Sequence, residues 1–160
     1  MMVKYESPGA SLLRAWRRTQ MLPLGRHLFS WAVGRMAPYT GTMGAVIQAL
    51  EPGYARVTLR ERRGLRNHLA SIHAVALANL GELATGLAVT TALPRAVRGI
   101  PVRLSVSYLK KARGTITAEC RSAPRREVTE PTEHAAVAHL RDRDGDLVAE
   151  VEAVWRLGPA

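Results

Sequence analysis

The sequence predicts an α+β domain, an antiparallel sheet with one long helix packed on it. Three observations carry this prediction. From Arg66 to Leu93 the chain reads RNHLASIHAVALANLGELATGLAVTTAL, its longest apolar stretch. On either side, apolar and polar residues alternate with the period of half-covered strands. The alternating segments follow one another through short turns, which join antiparallel neighbours.

The elements follow in order. Residues 1–10 read as a lead-in. SLLRAWRRTQMLP is a short amphipathic helix, with Ser11 as N-cap and Pro23 ending it. Leu24 to Met36 is a second helical piece, with Leu28, Trp31 and Arg35 at helical spacing. The Trp and Phe residues of this pair are expected to be packing groups. Residues 1–41 thus form an N-terminal helical extension, and 42–160 the main domain. MGAVIQALE, the turn Pro52-Gly53 and YARVTLRER form a hairpin, with Ala55, Val57 and Leu59 on its covered face. The long helix starts at Ser71 as N-cap and runs to about Thr91, ahead of Pro94. Its apolar residues lie on almost every face, so protein surrounds it. Gly81 and Gly86 each cost about 1 kcal/mol of helix propensity, which points to close packing there. Four strands follow. Ile100, Val102, Leu104, Val106 and Tyr108 share one face of the first. Ile116, Ala118 and Cys120 point inward from the second, and EHAAVAHLRD is the third. After the turn Asp144-Gly145, Leu147, Ala149, Val151, Ala153 and Trp155 share one face of the last.

The 160 residues fit one domain with a real core. A single cysteine, Cys120, excludes an internal disulfide and a cysteine metal cluster. It suits a reducing compartment. No signal peptide is evident, and a cytoplasmic protein is expected. The formal charge of +10 favours anionic partners: nucleic acid, acidic lipid or a phosphorylated cofactor. Nucleic acid ranks low, because no helix-turn-helix signature and no stacking set of aromatics is present. The central stretch is long enough to span a bilayer. Glu82 near its middle argues against that, at roughly 3 kcal/mol for a carboxylate at bilayer depth, and no membrane partner is expected. Nothing calls for a metal or a resident cofactor.

Within the central stretch, Asn67, His73 and Glu82 are the polar landmarks. This arrangement, with the order of elements around it, resembles the hotdog-fold thioesterases of the phenylacetate-pathway type. It looks closest to a poorly characterised branch that carries an N-terminal helical extension, and the resemblance covers about residues 42–157. In that family an Asn precedes a His-Gly-Gly turn at the helix start, and an acid follows along the helix. Here Ala74-Val75 stands in place of the glycine pair. The resemblance implies a curved sheet wrapped around the helix, and a homodimer or dimer of dimers. It also implies hydrolysis of an acyl-CoA or other acyl thioester. Glu82 would be the base or nucleophile, the Ala74 backbone N–H the oxyanion donor, and His73 and Asn67 site residues. Alanine keeps the N–H that the family's glycine supplies, while Val75 narrows the site.

The residues themselves support part of this. Burial would raise the pKa of Glu82, as a general base requires; its other reading is a pair with an arginine such as Arg103. His73 is otherwise a helix-start residue bonded to a nearby carbonyl, Asn67 a turn residue, and Asn79 a packing or interface group. His73 and Glu82 lie nine positions apart. At about 100° per residue they point to nearly opposite sides of one helix. A site using both is therefore built from two protomers. The phosphates of coenzyme A would meet Lys110, Lys111 and Arg113, or Arg66 with its neighbours Arg62 and Arg63; either run also reads as a solvated turn. A non-catalytic acyl-CoA or fatty-acyl binding module on the same fold is the alternative.

Overall fold

The computed structural model describes residues 7–125 and 127–160. Among them the elements are α1 (Pro8–Thr19), α2 (Gly25–Met36), α3 (Pro38–Gly41), β1 (Val46–Glu51), β2 (Tyr54–Arg60), α4 (Ala74–Ala92), β3 (Val97–Tyr108), β4 (Thr115–Arg121), β5 (Thr132–Arg141) and β6 (Leu147–Pro159). The strands form one antiparallel sheet in the order β1-β2-β4-β5-β6-β3, and α4 packs on its inner face. This is the hotdog fold.

The period-two pattern places the core as expected. Ala55, Val57 and Leu59 on β2, Ile116, Ala118 and Cys120 on β4, and Ala149, Val151 and Ala153 on β6 are all buried. So many inward alanines let a helix lie close to the sheet. Leu80, Ala84 and Ala88 of α4 are fully buried against it. Gly81 has no room at all, since a Cβ built there would collide with the side chain of Val151. Gly81→Ala is therefore expected to destabilise the protein. Overpacking of about 1–3 kcal/mol outweighs a helix-propensity gain of about 1 kcal/mol. Chemical denaturation with a midpoint at or above that of the unmodified protein would contradict this packing.

Several boundaries differ from the sequence expectation. The cap of α1 is Ser7, whose Oγ accepts from the Ala10 N–H, and Pro8 takes the first turn. Ser11 lies inside the helix. α4 starts at Ala74 with His73 as its N-cap, not at Ser71. Ser71 instead joins a turn with Asn67, and residues 72 and 73 are still extended. The Ile72 N–H donates to the Ala112 carbonyl, and the His73 N–H to the Leu65 carbonyl at 2.7 Å.

The single apolar face expected for the strand after the helix is broken. Its register with β6 shifts between Pro101 and Arg103. This bulge puts an extra residue, Val102, into β3 and flips the side chains beyond it. Leu104, Val106 and Tyr108 stay on the inner side, opposite Ala153, Val151 and Ala149. Gly99 is also inward, beside Leu157, Leu93 and Trp155. Ile100, opposite Arg156, faces outward.

The two sheet edges differ. At β1 the Ile47 N–H donates to Ser30 Oγ of α2 at 2.8 Å, and α2 covers that edge. Among the described residues no strand pairs with the outer edge of β3, and Ile100, Val102 and Leu104 are exposed there. A long, bare, apolar edge is a template for another strand.

The N-terminal helices share the main core. Trp16 and Phe29 are buried edge-to-face, 5.2 Å between centroids. Trp31 departs from the packing expectation and is 65% exposed. The stripe that faces the protein is Gly25, Phe29 and Val33. Two residues beyond Phe29 is about 200° around the helix, on its far side.

Candidate active site

The segment before α4 is built to hold the helix start in place. Glu61 anchors its beginning: its carboxylate accepts from the Gly114 N–H and from Arg66 Nε at 2.6 Å. The backbone donor, with Arg66 beside it, holds this carboxyl below the usual range. Asn67 then reverses the chain. Its Oδ1 accepts from the Leu69 N–H at 2.9 Å, and from the N–H and Oγ of Ser71. Ala70 completes the turn in the left-handed region, φ 52°. The turn-residue reading of Asn67 thus describes its carbonyl oxygen. Its Nδ2 hydrogens find no acceptor among the described residues.

His73 is exposed, and its Nδ1 accepts from the Val75 N–H at 3.1 Å. The histidine is thus a cap through its ring rather than a donor to a neighbouring carbonyl. With Nδ1 as acceptor, the neutral ring carries its proton on Nε2. The His73 carbonyl takes the N–H groups of Ala76 and Leu77. Of the first four helix donors, Ala74 alone has no partner among the described residues. Its N–H stands at the positive end of a 19-residue helix. The opposite side of the first turn is tied by Tyr108, whose hydroxyl donates to the Ala74 carbonyl at 3.0 Å.

Glu82 lies about 12 Å further along the helix axis. Its carboxyl is half-buried, and burial alone raises its pKa. The arginine pair does not form, since Arg103 sits outward at 3.9 Å from Glu152. Among the described residues nothing hydrogen-bonds to or pairs with the Glu82 carboxylate. Trp155 and Gly86 stand beside it. A Cβ built on Gly86 would lie 3.4 Å from the Trp155 ring and 3.9 Å from Glu82 Oε1. The bare backbone of Gly86 therefore leaves an opening between the indole and the carboxylate. The Trp155 Nε1 is buried with no acceptor among the described residues.

The fold also merges the two basic runs. Loop 109–114 packs against 61–73 through the Ile72–Ala112 and Glu61–Gly114 backbone bonds. Arg66, Lys111 and Arg113 thus sit on the same loops that set the helix start. Arg66 is paired with Glu61, and Arg113 Nε donates to the Ala70 carbonyl at 3.3 Å. Lys110 points elsewhere. It bridges Asp142 at 2.7 Å and Asp146 at 2.6 Å, and the hydrogen bond it donates to Asp142 leads the effects that raise its pKa. Those carboxylates hold Lys110 in the turn between β5 and β6. Asn79 accepts from Thr40 Oγ1 at 3.0 Å and ties α3 to α4.

Other nucleophiles are poorly placed. Burial pushes the Cys120 thiol up to about 11, so it stays protonated at neutral pH. Ser122 Oγ lies 2.7 Å from His134 Nε2, but beside the β1–β2 turn, and no described carboxylate orients that ring. Among the described residues no group of three or more His, Cys, Asp or Glu could hold a metal.

Sequence reasoning missed Tyr108 as a partner of the helix start, and Gly86 and Trp155 as neighbours of Glu82. Tyr108 and Trp155 were legible only as members of apolar strand faces. Gly86 was read as a packing glycine, and its nearness to Glu82 is a tertiary fact.

A sheet wrapped on a helix, with an open N–H at the helix start and an unpaired, half-buried acid further along, defines a hotdog-fold protein. Residues 25–157 match the family model for DUF4442, a domain of unknown function, and the chain belongs to that family. Among solved structures it is similar to the genomics target APC5556. That match has a TM-score of 0.80 and 29% identity over 94% of this chain and 99% of the other. It is also similar to PA5026 from Pseudomonas aeruginosa, a protein of unknown function called a probable thioesterase. There the TM-score is 0.71, with 25% identity over 87% of this chain and 97% of the other. A thioesterase family protein from Silicibacter pomeroyi shares the fold at TM-score 0.68 and 20% identity, over 82% and 96% of the two chains. No curated protein matches the chain.

Proposed function

We propose that this protein is a cytoplasmic, homodimeric hydrolase of an acyl-CoA or other acyl thioester, of the phenylacetate-pathway type. Its open donor and its unpaired acid sit on one helix but too far apart to share a carbonyl, and this observation carries the reading. The bare β3 edge offers the remedy. Antiparallel pairing of two β3 strands would extend the sheet across a dimer and set the helices side by side, opposed in direction. Each helix start would then approach Glu82 of the second protomer.

In such a site the thioester carbonyl oxygen accepts from the Ala74 N–H, and the helix end stabilises the oxyanion as it forms. Glu82 takes a proton from water as the water oxygen attacks the carbonyl carbon. The carbon–sulfur bond breaks, and the thiolate leaves with the proton returned from Glu82. Direct attack by Glu82 is the variant route, giving a mixed anhydride that water cleaves. Asn67 Nδ2 and His73 Nε2 are donors at the entrance. Arg66, Lys111 and Arg113 would meet the phosphates of a nucleotide carrier, and Lys110 would join them only by leaving its two aspartates. Val75 beside the donor favours a second reading, an acyl-CoA binding module that is stabilised by ligand without turnover.

Two measurements test the proposal together. Light scattering at micromolar concentration is expected to give a dimer that hydrolyses members of an acyl-CoA panel, read as free thiol. Leu104→Arg, which puts a charge on the exposed strand without touching the core, is expected to give a folded monomer with no hydrolysis. A monomeric native protein, or full activity in a monomeric variant, would overturn the shared-site reading.

A further inference from the structure

The layer formed by α1 and α2 has a composition that neither the core nor the thioester site explains. Between residues 7 and 50 there is no Asp or Glu, while Arg14, Arg17, Arg18, Arg26 and Arg35 all fall there. Half-way along, the connection Met21-Leu22-Pro23-Leu24 projects its side chains outward, with Met21 82% exposed. Leu24, Leu28, Trp31 and Arg35 then repeat at helical intervals along the outer side of α2. All four are exposed, while Gly25 and Phe29 turn inward. The result is an outward apolar stripe of Leu24, Leu28 and Trp31 that continues the exposed Met21 and Leu22, with arginines along its border. The Arg35 guanidinium lies over the Trp31 ring, 6.0 Å from its centroid. Arg17 and Arg18, exposed in the last turn of α1, flank the protruding connection.

The geometry points to this layer as a docking face for the surface of an anionic lipid bilayer. Apolar side chains standing out from a basic rim match the chemistry of that interface. Leucine, methionine and tryptophan enter the boundary of the acyl region, and arginines remain among the phosphates. Tryptophan suits this depth because its ring is apolar and its N–H can stay wet. A second copy of the chain fits less well. Self-pairing would bring like charges together, because residues 7–50 carry five arginines and no Asp or Glu. The burial of α4 and the cost of Glu82 argue against a membrane-spanning helix, and docking by α2 needs none. The inference stands whichever thioester is cleaved.

Sedimentation with vesicles tests it. The native protein is expected to pellet with vesicles of phosphatidylglycerol and phosphatidylcholine but not with phosphatidylcholine alone. Its tryptophan emission should shift to the blue, a signal from Trp31, because Trp16 and Trp155 are already buried. The double variant Leu24→Asp/Trp31→Asp changes only exposed positions. It is expected to lose binding by tenfold or more while keeping its melting temperature and its activity on a soluble short-chain thioester. Failure of the native protein to bind anionic vesicles would overturn the proposal. So would undiminished binding by the double variant, which would leave only the general attraction of a basic protein. A smaller assembly in the variant by light scattering would also overturn it, because the face would then belong to a contact between copies.

Discussion

Glu82→Gln is expected to lower kcat for thioester hydrolysis by about 10²–10⁴-fold, the usual worth of a positioned general base. The amide keeps the size of the side chain and removes its basicity. Folding should not suffer, because no described partner loses a bond. Stability should in fact change in the opposite sense to activity. Burial holds the pKa of Glu82 above its unfolded value, so the folded state binds that proton more tightly. Wild-type stability therefore falls as pH rises from the unfolded pKa through the folded one. The glutamine variant has no such charge to bury. It should melt above wild type at neutral pH, and the two should converge in acid. The same shift sets the rate profile, in which kcat/KM should rise with pH through an inflection above the ordinary glutamate range. Equal rates in the two proteins, or a glutamine variant that melts lower at neutral pH, would remove Glu82 from the mechanism.

The fold was legible because its signals are local. Period-two alternation in β2, β4 and β6 named the inward residues one by one, and Gly81 announced its close approach to Val151 through an unfavourable choice for a helix. The bulge in β3 was not legible. Apolar residues continue at alternate positions through Val102, so nothing in the pattern marks the slip that turns Ile100 outward. The helix start was misplaced by a few residues for a related reason. Ser71 is as good a cap as His73 by type, and only the pairing of residues 72 and 73 with neighbouring loops keeps the chain extended past it. Charge runs were ambiguous until folding chose their partners: Lys110 went to two aspartates in a distant turn, and Arg66 to Glu61. Asn67, His73 and Glu82 stood out together through the resemblance to the hotdog-fold thioesterases. Their separation along the helix could be calculated, but the open N–H of Ala74 could not. That depends on His73 taking the Val75 donor and on its carbonyl taking the next two.

That open donor permits a substitution that removes one hydrogen and little else. Ala74 occupies the first helical position, where proline is favoured because its missing N–H would be unpaired anyway. His73 already has the extended conformation that a following proline requires, φ −62° and ψ 140°. Ala74→Pro should therefore preserve the helix and its melting temperature. Catalysis should fall by about 10²–10³-fold, as when one oxyanion donor is lost. The same variant tests the sharing of sites between protomers. Mixed with Glu82→Gln after dissociation and reassociation, about half the dimers combine the two chains. In each of these, the unaltered Ala74 of one chain meets the unaltered Glu82 of the other, and the second site carries both defects. The mixture should then regain about a quarter of wild-type activity, although each parent keeps about a hundredth or less. If both groups belonged to a site within one chain, every chain in the mixture would carry one defect and no activity would return.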